Sequence, residues 1–162
     1  MFVRSFARAL GTRGAIVLLL GLSAALAAAQ GAKKSDAVVK VSAAADKPDA
    51  DGKQVVTVTL DIESGWHTYA NPVGLEDLAE VQTTVTIAGK GKPQLVKVEY
   101  PEGKPVKDKV VGDYRVYEGK VQIKATVRRA KDDAGPLEVS VKVQACNDKA
   151  CLLPATVKAT VP

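Results

Sequence analysis

The chain has 162 residues, of which 25% are charged and only 4% aromatic, with two cysteines, one histidine and one tryptophan. Its formal charge of +5 comes from 23 Lys and Arg against 18 Asp and Glu, but Arg4, Arg8 and Arg13 lie in an N-terminal segment without acids, and beyond it the balance is 20 against 18. A surface so close to neutral gives no basis for nucleic-acid binding, and a single histidine without a partnered nucleophile leaves no acyl-transfer triad.

In chain order, the three arginines precede an apolar run from Ala15 to Leu26 and then Ala27-Ala28-Ala29. A positive start, a short apolar stretch and small residues at its end form the pattern of a secretory signal peptide, here residues 1–29 with cleavage before Gln30. The alternative, an uncleaved anchor, needs about twenty apolar residues. No second stretch of that length follows, so no membrane span is expected in the mature chain. Export would place the protein in the periplasm or otherwise outside the cytoplasm, where disulfides persist.

Residues 30–36 read as a polar leader and 37–162 as one domain, large enough to bury a core. Within it the apolar period is that of strands. Val39 and Val41 mark the first. Val56, Val58, Leu60 and Ile62 alternate with polar residues after an Asp51-Gly52 turn. Val81, Thr83, Val85 and Ile87 share one parity, as do Val96, Val98 and Tyr100 after Pro93. Tyr114 and Val116 precede a Glu118-Gly119 turn, followed by Val121, Ile123, Ala125 and Val127. Leu137, Val139, Val141, Val143 and Ala145 form the seventh run, and Val157, Ala159 and Val161 the eighth, with Pro154 at its start. Leu75 to Ala79 allows at most one helical turn. About eight strands and no helical period predict an all-β antiparallel sandwich.

Two aromatic stretches stand out. Gly65-Trp66-His67-Thr68-Tyr69-Ala70-Asn71-Pro72-Val73-Gly74 is expected as a loop holding the only Trp and His; its plain structural reading has Trp66 plugging one end of the sandwich and His67 on the surface. Tyr114-Arg115-Val116-Tyr117 reads most simply as an edge strand with packing tyrosines.

The cysteines lie at Ala145-Cys146-Asn147-Asp148-Lys149-Ala150-Cys151-Leu152-Leu153-Pro154. Strand parity puts Cys146 on the polar side with Gln144, and the pair falls at or near a hairpin tip, with Asn147-Asp148-Lys149 turning the chain back. A disulfide here would close six residues and add only roughly 2 kcal/mol in the loop-entropy account, against nearly 5 for a hundred-residue loop. A chain needing only a staple would gain more from a wider one. A structural disulfide nevertheless stays open at this point. Zinc is a poor fit, because tetrahedral sites want three or four ligands and the chain offers one histidine besides the pair. Delivery of a soft metal such as Cu(I) through Cys146, Cys151 and His67 is a thinner alternative, without a methionine in the mature chain.

Taken together, these stretches resemble the N-terminal periplasmic domain of the DsbD family of thiol:disulfide interchange proteins. The most specific part is Gln144-Ala145-Cys146 followed by Cys151-Leu152-Leu153-Pro154 and a last strand, and the resemblance covers essentially the whole mature chain. It implies an immunoglobulin-like sandwich in which Cys146 and Cys151 are the redox pair, with Cys151 forming mixed disulfides. The family's Gly-aromatic-x-x-Tyr segment matches Gly65 to Tyr69, which implies that His67 and Tyr69 line the site. A cap loop shielding the pair would correspond to about Asp108 to Gly112, with Asp108 and Val110 as site-lining residues. The chain departs from the family pattern in its shorter cysteine spacing and in offering Val110 or Val111 where a cap phenylalanine is expected. The implied partners are thioredoxin-fold periplasmic proteins and, because the sequence stops at Pro162, a membrane electron donor on a separate polypeptide. No organic cofactor and no metal are required. The competing expectation is a non-catalytic binding or structural module with Cys146–Cys151 as a local staple.

Overall fold

The computed structural model describes residues 32–162. The expected signal peptide and the first two leader residues lie outside the described residues. Eleven strands are formed: β1 (Val39–Ala45), β2 (Lys53–Ile62), β3 (His67–Tyr69), β4 (Thr84–Gly89), β5 (Gln94–Glu99), β6 (Lys104–Val106), β7 (Tyr114–Glu118), β8 (Lys120–Arg128), β9 (Leu137–Val143), β10 (Ala145–Cys146) and β11 (Ala155–Val161). The eight expected strands are present, joined by three short ones, β3, β6 and β10. All the strand pairs are antiparallel, arranged in sheets of order β1-β2-β8-β5, β10-β3-β7-β6 and β11-β9-β4. The result is an immunoglobulin-like antiparallel sandwich, and among the described residues no helix is long and apolar enough to cross a membrane.

Alternation explains the layers. Val56, Val58 and Leu60 of β2 stand opposite Ala125, Ile123 and Val121 of β8, and all but Val121 are fully buried. Val139 and Val141 of β9 pair with Ile87 and Val85 of β4 on one side and Ala159 and Val157 on the other. These inward faces share one core, which also takes in Tyr117 and Ala145 from the β10-β3-β7-β6 sheet. Each fully buried Val, Leu or Ile contributes about 1.5–3 kcal/mol; with so few aromatics, the core is built from many such increments. β-branched side chains suit this because they pack well on a pleated surface.

Three local readings are corrected. Val96 does not share the buried face with Val98: the ladder to β8 shifts register between Leu95 and Lys97. This irregularity turns Leu95 and Val98 toward the core and leaves Val96 about half exposed, since an extra residue in one strand resets its alternation. Val81 is not in a strand but ends a 3-10 helix, Glu76–Val81, which is longer than the one turn expected at Leu75–Ala79. β4 begins only at Thr84, while Thr83, fully buried, spends both its backbone N–H and its hydroxyl on the Tyr69 carbonyl. Finally, His67–Tyr69 is a strand rather than part of a loop, because β10 and β7 supply partners on both its edges.

The end of the sandwich away from β3 is closed by Arg129. Its buried guanidinium donates to Gln54 Oε1 at 3.1 Å and to the Gly135 carbonyl, and pairs with Asp133 at 3.3 Å. Gly52 passes beneath with φ +73°, where a Cβ would lie 2.8 Å from the Arg129 carbonyl oxygen. The expected Asp51-Gly52 turn therefore needs glycine for its conformation and for its clearance.

Candidate functional site

β9 and β11 form a hairpin whose connection, residues 144–154, carries both cysteines. The chain changes sheets there. β9 ends at Val143, and two residues later Ala145 and Cys146 pair with Thr68 and His67 of β3. Ala145 faces the core, fully buried, and stands opposite Thr68 and, beyond it, Tyr117. Cys146 points to the other face, as strand parity predicts, but is not exposed there: its relative accessibility is 3%. Parity gives the direction of a side chain and not what covers it.

Cys146 and Cys151 are joined by a disulfide, with their Cα atoms 4.0 Å apart. Asn147 makes the return. Its Oδ1 accepts the N–H groups of Lys149 and Ala150, each at 2.9 Å, and its own N–H donates to the Ala150 carbonyl. This is the side-chain mimicry of a backbone turn for which Asn is suited. Cys151, unlike Cys146, is exposed. The two cysteines are therefore inequivalent: one is exposed to solvent, the other is enclosed.

Across the outer face, Cys146, His67 and Glu118 stand in one row over β10, β3 and β7. Tyr69, two residues along β3, shares that face and brings its hydroxyl to 3.5 Å from Cys146 Sγ. A disulfide sulfur has no proton, so the phenol is the donor. Burial, then the neighbouring Tyr114 hydroxyl, pushes the Tyr69 phenol above its ordinary value, which keeps it protonated and able to donate. His67 meets Tyr69 edge to face with centroids 6.3 Å apart, and Tyr114 packs on Tyr69 at 5.9 Å. Burial holds the imidazole below its usual value, opposed by the negative charges of Glu118 and Asp148. Glu118 is itself bound by Lys104 at 2.6 Å. Trp66, beside this row, packs against the core.

Cys146, Cys151, His67 and Tyr69 are thus brought together. Asp108 and Val110 sit in the turn between β6 and β7, and no hydrogen bond joins Asp108 to the cysteine pair. The Asp108 carboxylate accepts the N–H groups of Val110 and Val111 at 2.7 and 3.0 Å, which holds its pKa below the usual carboxylate value. Val110 is 96% exposed and lays no cover over the disulfide in this conformation. Just after the turn, Tyr114 at the start of β7 packs on Tyr69.

One residue that the sequence offered no reason to choose is Ser35, in the expected leader. It is fully buried and hydrogen-bonded to the backbone on both sides of the cysteine pair. A lone serine among polar residues carries no pattern. Only the fold, which lays Lys34 beside Leu153 in a parallel bridge, reveals it.

An all-β sandwich presenting one exposed and one enclosed cysteine of a short-range disulfide, with a phenol donor on the enclosed one, has the parts that a thiol:disulfide exchange domain needs, an accessible cysteine and a second one to resolve a mixed disulfide. Residues 34–162 match the family described as thiol:disulfide interchange protein DsbD, N-terminal, and the chain belongs to that family. Among solved structures, it is similar to the reduced N-terminal domain of DsbD from Neisseria meningitidis, with 16% identity, a TM-score of 0.47, and coverage of 77% of this chain and 85% of that one. It is also similar to the N-terminal periplasmic domain of ScsB from Proteus mirabilis, with 15% identity, a TM-score of 0.48, and coverage of 74% of this chain and 44% of that one. A third similar structure is the complex between the DsbD and PilB N-terminal domains of Neisseria meningitidis, with 16% identity, a TM-score of 0.41, and coverage of 73% of this chain and 80% of that one. No curated protein sequence matches the chain.

Proposed function

We propose that this chain is an exported, periplasmic domain that relays electrons by dithiol/disulfide exchange through Cys146 and Cys151. The observation that carries the reading is the inequivalence of the two cysteines, Cys151 exposed and Cys146 enclosed beneath Tyr69. A partner thiolate reaches only Cys151. In the oxidised domain its attack there forms a mixed disulfide and expels Cys146 as a thiolate, which the Tyr69 hydroxyl is placed to stabilise. A second thiolate of the donor then attacks the mixed bond, leaving Cys151 reduced and the donor oxidised. In the forward direction the Cys151 thiolate attacks a partner disulfide and one partner sulfur leaves. Cys146 then attacks Cys151 Sγ, re-forming the internal disulfide and releasing the partner as a dithiol. Two electrons pass in each cycle.

The partners we infer, from membership of the DsbD N-terminal family, are thioredoxin-fold proteins and a membrane electron donor. Residues 1–29 supply the export signal. His67 and Tyr69 line the site, and Asp108 and Val110 belong to the turn expected to cap it.

The test is the reduction potential of the pair in the mature domain, read by mass spectrometry after equilibration in thiol buffers. A value between about −180 and −270 mV, the range of exchange proteins, supports relay. A value below about −300 mV marks a structural bridge and replaces this reading with that of a non-catalytic module.

A further inference from the structure

We infer that Ser35 is a positioning residue for the exchange reaction, a clasp that holds the two cysteine-bearing segments together when the disulfide between them is open. The inference rests on the exchange reading above. Its basis is the set of hydrogen bonds around one fully buried hydroxyl. Ser35 Oγ donates to the Leu153 carbonyl at 2.8 Å and accepts the Ala145 N–H at 2.8 Å. The Ser35 N–H donates to the same Leu153 carbonyl at 2.9 Å, and the Leu153 N–H donates to the Lys33 carbonyl at 3.1 Å. Ala145 immediately precedes Cys146, and Leu153 lies two residues after Cys151. A single oxygen therefore bridges the two arms of the loop just outside the disulfide, supported by two direct arm-to-arm bonds, from the Leu152 N–H to the Ala145 carbonyl at 2.8 Å and from Gln144 Nε2 to the Leu152 carbonyl at 3.2 Å.

The chemistry gives this clasp a state-dependent role. In the oxidised domain the covalent bond already fixes the arms, and the clasp is redundant for their separation. In the dithiol the covalent tie is gone. The effective concentration of one thiol at the other then depends on how closely the remaining bonds hold the arms. A hydroxyl is suited to the task because it donates and accepts at once, and the Ala145 N–H, on a fully buried residue, has no water to turn to as a substitute. Without it, the Ala145 N–H and the Leu153 carbonyl each lose a partner, and more of the ordering must be supplied by disulfide formation itself. The disulfide of such a variant is easier to reduce.

The experiment compares the mature wild-type domain with Ser35→Ala and Ser35→Thr in thiol redox buffers. Ser35→Ala is expected to lower the effective concentration of the pair by up to about tenfold, which for a two-electron couple is a shift of about 30 mV toward positive potential. Ser35→Thr, which keeps the oxygen, is expected to restore much of the shift. A merely structural serine would lower the melting temperature of both redox forms and leave the potential where it was; that result overturns the assignment. The exchange reading is judged separately, by the absolute wild-type potential, whereas Ser35 is judged by the difference between variants.

Should Ser35→Ala fail to fold, amide hydrogen exchange on the wild-type dithiol decides the matter. The Ala145 and Leu153 N–H groups are expected to stay protected after reduction. Rapid exchange of both in an otherwise intact domain would mean that no clasp exists in the state that needs one.

Discussion

Replacing Tyr69 by Phe removes one oxygen and leaves the ring that packs against His67 and Tyr114. In the disulfide state the loss is small, because the O–H meets a neutral sulfur at 3.5 Å, a weak acceptor. Once Cys146 becomes a thiolate the same contact is charge-assisted, and such bonds are worth about 1.5–3 kcal/mol. At 1.36 kcal/mol per pKa unit, the Cys146 thiol of Tyr69→Phe should titrate about 1–2 units higher than in the wild type. A poorer leaving thiolate also slows exchange, so reduction of the variant by a small dithiol should be several-fold slower at neutral pH. The assay is ultraviolet thiolate absorbance across a pH series for the reduced Cys151→Ser domain, in which Cys146 is the only thiol, with stopped-flow reduction of the intact pair. Tyr114→Phe is the control, since its hydroxyl has no bond to sulfur. An unchanged Cys146 titration in Tyr69→Phe would refute the argument, showing that the phenol is packing and not a donor.

Three further outcomes follow from the structure. The Cys146→Ala/Cys151→Ala double variant should remain folded, losing roughly 2 kcal/mol by the six-residue loop estimate, seen as a modest fall in urea midpoint; complete unfolding would point to a structural bridge. Ile123→Ala, at a fully buried position in β8, should cost about 2–5 kcal/mol by the same denaturation assay. His67 governs a pH term: its folded pKa lies below the ordinary 6.5, so the unfolded chain binds the proton more tightly. The stability associated with neutral His67 is complete above pH 6.5 and declines as pH falls through 6.5 toward the folded value, with a slope of at most about 1.4 kcal/mol per pH unit. His67→Gln should remove that slope from a series of urea titrations; a slope unchanged by the substitution would show that His67 is not its source.

Much of the sandwich was legible because alternation is a local signal. Val56 to Ile62 or Leu137 to Val143 announces a strand and its buried face from a handful of residues. The short strands were not, since two or three residues carry no period; β3 exists because β7 and β10 flank it, and β10 exists because the chain leaves β9 after Val143. Val96 escaped for a related reason, as a shift of ladder register reverses parity without a marker in the residue types. At the site, the cysteines stood out through their rarity and spacing, whereas His67 and Tyr69 were reached through the Gly-aromatic-x-x-Tyr segment of the family resemblance. What covers Cys146 and what Ser35 touches are tertiary facts, set by segments more than 70 residues apart in sequence.

The turn between the cysteines has an architectural consequence. Within Asn147 to Ala150 the Asn147 side chain accepts the Lys149 and Ala150 N–H groups and the Asn147 N–H donates to the Ala150 carbonyl, while the flanking Ala145 and Leu152–Leu153 are anchored to the body of the domain. Apart from Asn147, whose side chain makes the turn, the residues between the cysteines form a replaceable insert in a fixed frame. Libraries that keep Asn147 and randomise Asp148, Lys149 and Ala150 should yield domains with one common scaffold that differ in the charge and shape presented beside Cys151.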